Sequence, residues 1–156
     1  MRIPPSGSPL PQAIVLALLC LFVAAADEVP ATVTGNNLRV RCAPRRSAEV
    51  LCLLKADAQI TVVKFERPWL GIKPPEQISA WVPKAALKDG QVARDEVPVR
   101  VGPSEVFAHF ATLKKGAPVE VLRVKHDKWA KVQAAFDGVV WVHGDYVLLP
   151  AEYRQE

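Results

Sequence analysis

The chain has 156 residues and a net charge of +4 at neutral pH, with half of its residues apolar and 23% charged. These values are typical of a globular protein with one domain or two small ones. Without a long run of lysine or arginine, the mild positive charge gives no reason to expect a nucleic-acid partner. The 14 prolines and eight glycines argue against a largely helical protein and favour short strands joined by turns.

The first 26 residues have the pattern of a secretory signal peptide. A single basic residue precedes an unbroken apolar run from Ala13 to Ala26, which ends in three alanines before Asp27. At 14 residues, the run is shorter than the roughly 20 residues that a membrane-spanning helix needs. We therefore predict cleavage after Ala26, a mature chain without an integral membrane span, and a secreted or periplasmic protein. A lipoprotein anchored through Cys20 is the alternative, although Leu19 stands where a small residue is expected.

An internal repeat covers most of the chain after this segment. Val33 aligns with Val92 and Pro44 with Pro103, an offset of 59 residues, and after one slipped residue Trp81 aligns with Trp141. Two copies are too few for a solenoid, so the repeat predicts a tandem of small domains. We place the first domain at residues 27–90 and the second at residues 91–149, after a signal peptide of residues 1–26 and before a tail of residues 150–156.

Each copy is predicted to form five short strands in the same order. The stretches are apolar or alternate between apolar and polar residues, and proline, glycine or other turn residues separate them. In the first copy the predicted strands are Leu38–Cys42, Val50–Leu54, Ile60–Phe65, Trp69–Ile72 and Ala80–Val82; in the second they are Val97–Val101, Phe110–Leu113, Val119–Val124, Trp129–Val132 and Val140–Val142. Helix is expected only as single turns near Pro83–Leu87 and His143–Tyr146. The pattern predicts an all-β protein of two small barrels or tight sandwiches.

Two cysteines remain beyond the predicted signal peptide. Cys42 and Cys52 lie on the two arms that flank the loop Pro44–Glu49. Because an exported protein meets an oxidising compartment, we predict a disulfide between them, which would stabilise a small domain by roughly 2–3 kcal/mol. Two free buried thiols are the alternative.

The order of these motifs resembles the bacterial Src-homology-3 domain, present twice. The second copy carries Val97-Pro-Val-Arg-Val-Gly-Pro103, Leu113-Lys-Lys-Gly116 and Val140-Trp-Val-His-Gly-Asp-Tyr-Val147. The first copy matches more loosely, with Ala80 and Ala86 where the family has glycine and tyrosine. The resemblance implies two five-stranded SH3-like barrels, association with the bacterial cell envelope, and binding of peptidoglycan or of an extended peptide.

The resemblance also implies which residues bind a ligand. In the eukaryotic relatives of this domain a tryptophan, a proline and a tyrosine line a peptide groove, which nominates Trp69 and Pro83 in the first copy and Trp129 and Tyr146 in the second. The other two tryptophans, Trp81 and Trp141, precede valine in a strand and are better explained by packing in the core, which is an equal alternative for Trp69 and Trp129. The arginines of the first copy could meet acidic groups of the envelope or form a solvated face; they are Arg39, Arg41, Arg45, Arg46 and Arg67.

No arrangement of residues in the sequence points to catalysis or to a metal site. His109, His126 and His143 have no cysteine, aspartate or glutamate at ligand-like spacing. A nucleophile would need an adjacent base, and both cysteines lie in a copy without histidine. We therefore expect no metal, no cofactor and no enzymatic activity. The predicted function is a non-enzymatic exported binding module, with a structural adaptor that holds an envelope protein by edge-strand or surface contacts as the alternative.

Overall fold

A computed structural model describes residues 27–154, so the predicted signal peptide and its cleavage site lie outside the described residues. The described part is all-β, as predicted, with short antiparallel strands and three single 3₁₀ turns. The strands are β1 (Val29–Val33), β2 (Leu38–Arg41), β3 (Val50–Leu54), β4 (Gln59–Glu66), β5 (Trp69–Ile72), β6 (Ser79–Pro83), β7 (Leu87–Lys88), β8 (Gln91–Val92), β9 (Val97–Arg100), β10 (His109–Leu113), β11 (Glu120–Lys125), β12 (Trp129–Gln133), β13 (Asp137–Gly138), β14 (Val140–His143) and β15 (Val147–Leu148).

The 3₁₀ turns lie where the sequence predicts them, with one addition. Lys84–Ala86 follows β6 and Gly144–Tyr146 follows β14, while Ala151–Tyr153 lies in the C-terminal tail. Within residues 27–154, no helix has the length and apolar character needed to cross a bilayer.

The strands form two large sheets and one short ribbon. The seven-stranded sheet has the order β15-β1-β4-β5-β14-β2-β3, and the six-stranded sheet has the order β11-β12-β6-β9-β10-β13. Strands β7 and β8 form a two-stranded ribbon across the turn between the two copies. The order shows that neighbouring strands do not always come from the same copy of the repeat.

The two copies exchange their last strands. Strand β14 of the second copy pairs with β5 and β2 of the first, and β6 of the first copy pairs with β12 and β9 of the second. The exchanged strands occupy equivalent positions, because Trp141 lies opposite Gly71 and Arg41, whereas Trp81 lies opposite Lys131 and Arg100.

The 3₁₀ turns that follow the exchanged strands dock in the same way. The backbone N–H of Gly144 donates to the carbonyl of Pro68, and the N–H of Lys84 donates to the carbonyl of Lys128, both at 2.8 Å. Each turn therefore contacts the segment just before the strand of the other copy that begins with a tryptophan, which is β5 or β12; we call these two the tryptophan strands. The exchanged unit thus consists of the last strand of a copy and the turn that follows it.

This exchange corrects the expectation that each copy closes its own barrel. All strands of the six-stranded sheet lie between residues 79 and 138, whereas the seven-stranded sheet combines residues 29–72 with residues 140–148. Neither sheet is confined to one of the predicted domains, 27–90 or 91–149, and two separate five-stranded barrels are not confirmed. The chain passes from the seven-stranded to the six-stranded sheet through the segment 73–78 and returns at Val139, between β13 and β14.

The core explains why the exchange is tolerated. The exchanged strands bury Ala80 and Val82 in one sheet and Val140 and Val142 in the other, each with no exposed surface. Because the two sets of side chains are small and apolar, either strand can fill the gap beside a tryptophan strand. Their burial removes apolar surface from water, the main source of stability in small β proteins.

The predicted disulfide is absent from the structure, where Cys42 and Cys52 are both free and half-buried. The strand register supplies the reason. Cys52 lies opposite Val40 in the β2–β3 pair, whereas the N–H of Cys42 donates to the carbonyl of Glu49 beyond an irregularity in the ladder. The two residues are thus offset along the pair rather than opposite each other. Burial raises the pKa of the Cys52 thiol to about 11, which keeps it protonated at neutral pH.

Candidate functional site: an aromatic–arginine cleft

A cleft of about 610 Å³ lies against the seven-stranded sheet and contains residues from both copies of the repeat. We call it the aromatic–arginine cleft. It is lined by Gly35, Asn36, Asn37, Leu38, Arg39, Arg41, Arg46, Trp69, His143, Asp145 and Tyr146. Its volume falls in the range of roughly 300–1,000 Å³ that is usual for ligand sites in proteins.

Three aromatic rings form one wall of the cleft. Trp69 begins β5 and lies opposite His143 at the end of β14, with ring centroids 5.3 Å apart and ring planes at 74°. The ring of Tyr146, in the following 3₁₀ turn, lies 6.2 Å from that of His143. The Trp69–His143 contact has the edge-to-face geometry that aromatic pairs favour, and the Tyr146 ring is tilted against His143. The side chain of Tyr146 is 53% exposed and therefore available to a ligand.

The orientation of His143 is set within its own turn. Its Nδ1 accepts a long hydrogen bond of 3.4 Å from the backbone N–H of Asp145. The Asp145 carboxylate lies 3.5 Å from the same nitrogen. The imidazole of His143 is thus held by its own turn beside the rings of Trp69 and Tyr146.

The loop between β1 and β2 supports Tyr146 from behind. The backbone N–H of Thr34 donates to the carbonyl of Tyr146 at 2.9 Å. A Cβ atom at Gly35 would lie 3.1 Å from Cδ1 of Tyr146, which is closer than side chains normally pack. A glycine at this position therefore lets the tyrosine ring lie against the backbone.

The cleft is also lined by basic residues. Arg39 and Arg46 are exposed, and within residues 27–154 neither takes part in a salt bridge. Arg41 has a structural contact, because its Nη1 donates to the carbonyl of Ala48 at 2.7 Å and holds the loop after β2. The cleft thus contains three arginines and one acidic residue, Asp145. Such a lining favours a ligand with carboxylate or phosphate groups.

The equivalent place on the six-stranded sheet has lost most of these features. Trp129 lies opposite Pro83, and Ala86, which is fully buried, stands in the position of Tyr146. By the repeat alignment, Pro98 replaces Arg39 and Glu105 replaces Arg46.

Arg100, the counterpart of Arg41, donates to the carbonyls of Glu105 and Phe107 and so keeps the loop-holding role. Beside Trp129, Lys84 forms an ion pair with Asp127 that lowers the pKa of this carboxyl through a hydrogen bond and the lysine charge. Of these two places, only the aromatic–arginine cleft on the seven-stranded sheet therefore combines aromatic rings with arginines that form no salt bridge within the described part of the chain.

The structure groups the four predicted binding residues differently from the sequence analysis. Trp69 was paired with Pro83 and Trp129 with Tyr146, on the assumption that each copy builds its own groove. The exchange instead brings Trp69 together with Tyr146, and Trp129 together with Pro83. The other tryptophans, Trp81 and Trp141, are buried at 9% and 7% exposure and belong to the core.

Two contributors to the cleft were not among the four predicted binding residues. His143, which the repeat places at the position of Pro83, was not expected beside Trp69. The arginines of the first copy were predicted to meet acidic groups of the envelope or to form a solvated face, without an aromatic neighbour to point them to a site. Among residues 27–154 no group of three or more potential ligands could hold a metal ion.

Comparison with known proteins supports the fold of the second copy. Residues 95–147 match the model of the bacterial SH3 domain. The match runs from before β9 to the start of β15, so it includes the exchanged strand β14 and Tyr146. The last full strand of the matched segment, β14, lies in the sheet that holds β1 to β5 of the first copy.

The remaining comparisons add little. No similar sequence was found among curated proteins. The solved structure of NlpC2 from Trichomonas vaginalis is similar at 9% identity over 84% of this chain and 51% of that chain, with a TM-score of 0.25. The chain thus spans about half the length of that protein, and a similarity of this size does not define a common function.

Proposed function

We propose that the protein is a non-enzymatic binding module of the bacterial cell envelope, and that its aromatic–arginine cleft binds peptidoglycan or an extended peptide that carries carboxylates. Bacterial SH3 domains are binding modules, often for peptidoglycan, and residues 95–147 match this family. The observation that carries the proposal is the convergence of Trp69, His143 and Tyr146 with Arg39 and Arg46 in one cleft.

The chemistry of the cleft suits such a ligand. Aromatic faces provide contact area for a sugar ring or for an extended backbone at low entropic cost. The two exposed arginines can each form two parallel hydrogen bonds with a carboxylate, such as those of the peptide stems in peptidoglycan. The proposal assigns no chemical step to the cleft, and neither cysteine lines it.

The proposal is tested by binding of the purified protein to isolated peptidoglycan sacculi. Tyr146→Ala is the most informative variant, because the side chain is exposed and its removal leaves the core intact. We expect Tyr146→Ala and Trp69→Ala each to weaken binding by about tenfold or more, as is usual for a central aromatic contact. The matched control is Trp129→Ala, which removes the counterpart of Trp69 from the other sheet.

The control decides which site binds. Retention of binding in Trp129→Ala, with loss in Tyr146→Ala, supports the cleft. If the wild-type protein does not sediment with sacculi, a peptide with several carboxylates is tested in the same way. Failure to bind either ligand, or equal loss in all variants with unchanged folding, would refute the proposal.

A further inference from the structure

One strand edge of the six-stranded sheet is uncovered although its counterpart is not. Strand β11 is the outermost strand and pairs only with β12, and all six of its residues are exposed. Its counterpart β4 pairs on both sides, with β5 and with β1. The difference is local, since the two strands align at an offset of 59 residues and each has an irregularity at the same place.

The covering of β4 comes from two segments that do not extend over β11, because the counterpart of β1 reaches only residues 116–119, before β11 begins. Strand β1 pairs with residues 59–62, and Tyr153 from the C-terminal tail stacks on Phe65 at 5.8 Å. In the second copy the chain makes the tight β7–β8 turn at Asp89 and Gly90, where β1 would continue. Val121 is consequently 45% exposed, whereas its counterpart Val62 is fully buried.

The uncovered edge is apolar on the side that faces the core. Val121 lies opposite Val132 and Val124 lies opposite Ala130, and both of these partners are fully buried. Val121, Leu122 and Val124 are each exposed by 45–47%. An exposed edge with apolar side chains is a template for pairing with another strand, and native proteins usually block such edges.

We propose that a second copy of the chain covers this edge by antiparallel pairing of β11 with β11 of the other molecule. In the sequence Glu120-Val-Leu-Arg-Val-Lys125, the outer two residues at each end are complementary when two copies run in opposite directions, and Leu122 and Arg123 face each other at the centre. In the register centred between Leu122 and Arg123, Glu120 faces Lys125 of the second copy, and Val121 faces its Val124. Two-fold symmetry repeats both contacts, as expected for a dimer with identical surfaces.

The same register matches the two faces of the sheet. Val121 and Val124 are on the core side, whereas Glu120 and Lys125 lie opposite Gln133 and Trp129 on the outer side. Pairing therefore joins valine to valine on one face and carboxylate to ammonium on the other. Opposite charges and β-branched residues directly across a pair stabilise a sheet. Because only six residues pair, and Leu122 lacks a partner in the β11–β12 ladder, the association is weak and depends on concentration.

The association is measured by sedimentation of the purified 156-residue protein, over concentrations that reach the millimolar range. We expect a monomer–dimer equilibrium in the wild-type protein. Val124→Lys should abolish dimers, since it places an ammonium group against Val121 of the second copy on the apolar side of the pair, where the charge has no partner. The control is Val106→Lys, which makes the same change at a loop residue that is 89% exposed and leaves dimerisation unchanged.

Charge reversal tests the register itself. Glu120→Lys or Lys125→Glu alone should weaken the dimer by about tenfold, because each variant places like charges opposite each other twice. The double variant restores the attraction and should bring the dissociation constant back to that of the wild type. Circular dichroism of each variant verifies that the fold is retained.

Three results would overturn the proposal: a monomer at all concentrations, a dimer that Val124→Lys leaves intact, or a double variant as weak as the single ones. If the protein stays monomeric but β11 pairs with a strand of another protein, the edge would instead serve the adaptor function. The aromatic–arginine cleft is not involved in the dimer, so failure here leaves the proposed binding function untouched.

Discussion

Trp69 and His143 lie opposite each other on adjacent antiparallel strands, with ring centroids 5.3 Å apart, although they belong to different copies of the repeat. The contact exists because β14 crosses to the sheet of the first copy. Neither copy can build the aromatic–arginine cleft from its own residues, since Tyr146 arrives with the same exchanged unit. The strand exchange is therefore a condition of the proposed site.

The exchange can be verified by nuclear magnetic resonance. We expect backbone cross-strand contacts from Trp141 to Gly71 and from Trp81 to Lys131, because these residues are paired in the two sheets. The Val40–Cys52 pair within the first copy serves as the internal reference. A contact between Trp141 and Lys131 would instead show that each copy closes on itself.

Most strand positions follow from local pattern. Strands Val50–Leu54 and Trp69–Ile72 have the predicted bounds, since short apolar runs between turn residues define them. The sequence analysis missed β1, where Val29, Ala31 and Val33 are buried in alternation. A proline has no N–H to donate to a neighbouring strand, so Pro30 is unfavourable for a strand at this place. The β1–β15 pair begins only at Thr32, however, so no strand on that side needs a hydrogen bond from Pro30.

The strand exchange could not be predicted in the same way. Ala80-Trp-Val82 and Val140-Trp-Val142 have the same pattern, so both fit beside either tryptophan strand. Periodicity determines which residues of a strand are buried, but not which of two equivalent gaps the strand enters. The grouping of Trp69 with Tyr146 depends on that choice. For this reason the four candidate residues were predicted individually, in pairs that the structure does not bring together.

Gly71 is a sensitive point in the contact between β5 and the exchanged strand. A Cβ atom there would lie 2.7 Å from Cγ1 of Val139 and 2.8 Å from Cβ of Lys64. We expect Gly71→Ala to lower the free energy of unfolding by about 1–3 kcal/mol, because the neighbouring side chains must shift to make room.

Urea denaturation monitored by fluorescence measures this change. Lys131→Ala is the matched control, since Lys131 holds the place of Gly71 in the other sheet and lies opposite Trp81. We expect the control to alter the unfolding free energy by no more than about 0.5 kcal/mol. Equal stability of Gly71→Ala and the wild type would contradict the close packing of β14 on β5.

Cys52 should be a slow nucleophile despite the absence of a disulfide. Burial raises its thiol pKa to about 11 from 9.0, so the reactive thiolate is scarce at pH 8 and increases only as the pH rises toward 11. We expect its alkylation by iodoacetamide at pH 8 to be slower than that of a free thiol in solution, and to accelerate steeply above pH 9.

The protein is unfolded without reductant and alkylated, and mass spectrometry then shows which cysteines carried a free thiol. Both Cys42 and Cys52 should be alkylated, because both are free in the structure. Cys52→Ser serves as the control for assigning the slow rate. Recovery of an unmodified pair that reacts only after reduction would show that the two residues are bridged.

Ligand binding should depend on salt through the two exposed arginines of the cleft. Arg39 and Arg46 line it and form no salt bridge within residues 27–154, so their charges are available to an acidic ligand. We expect Arg39→Glu with Arg46→Glu to weaken binding to sacculi by roughly tenfold at low ionic strength, with a smaller difference in high salt.

The matched control reverses two charges elsewhere, with Lys88→Glu and Arg94→Glu. Both residues are exposed and neither lines the cleft, so the net charge changes equally while the site is preserved. If binding to the sacculi depended only on the net charge of the protein, the two double variants would bind equally weakly. A loss confined to Arg39 and Arg46, which fades as salt screens the ion pairs, would place the acidic part of the ligand against these arginines, beside the rings of Trp69 and Tyr146.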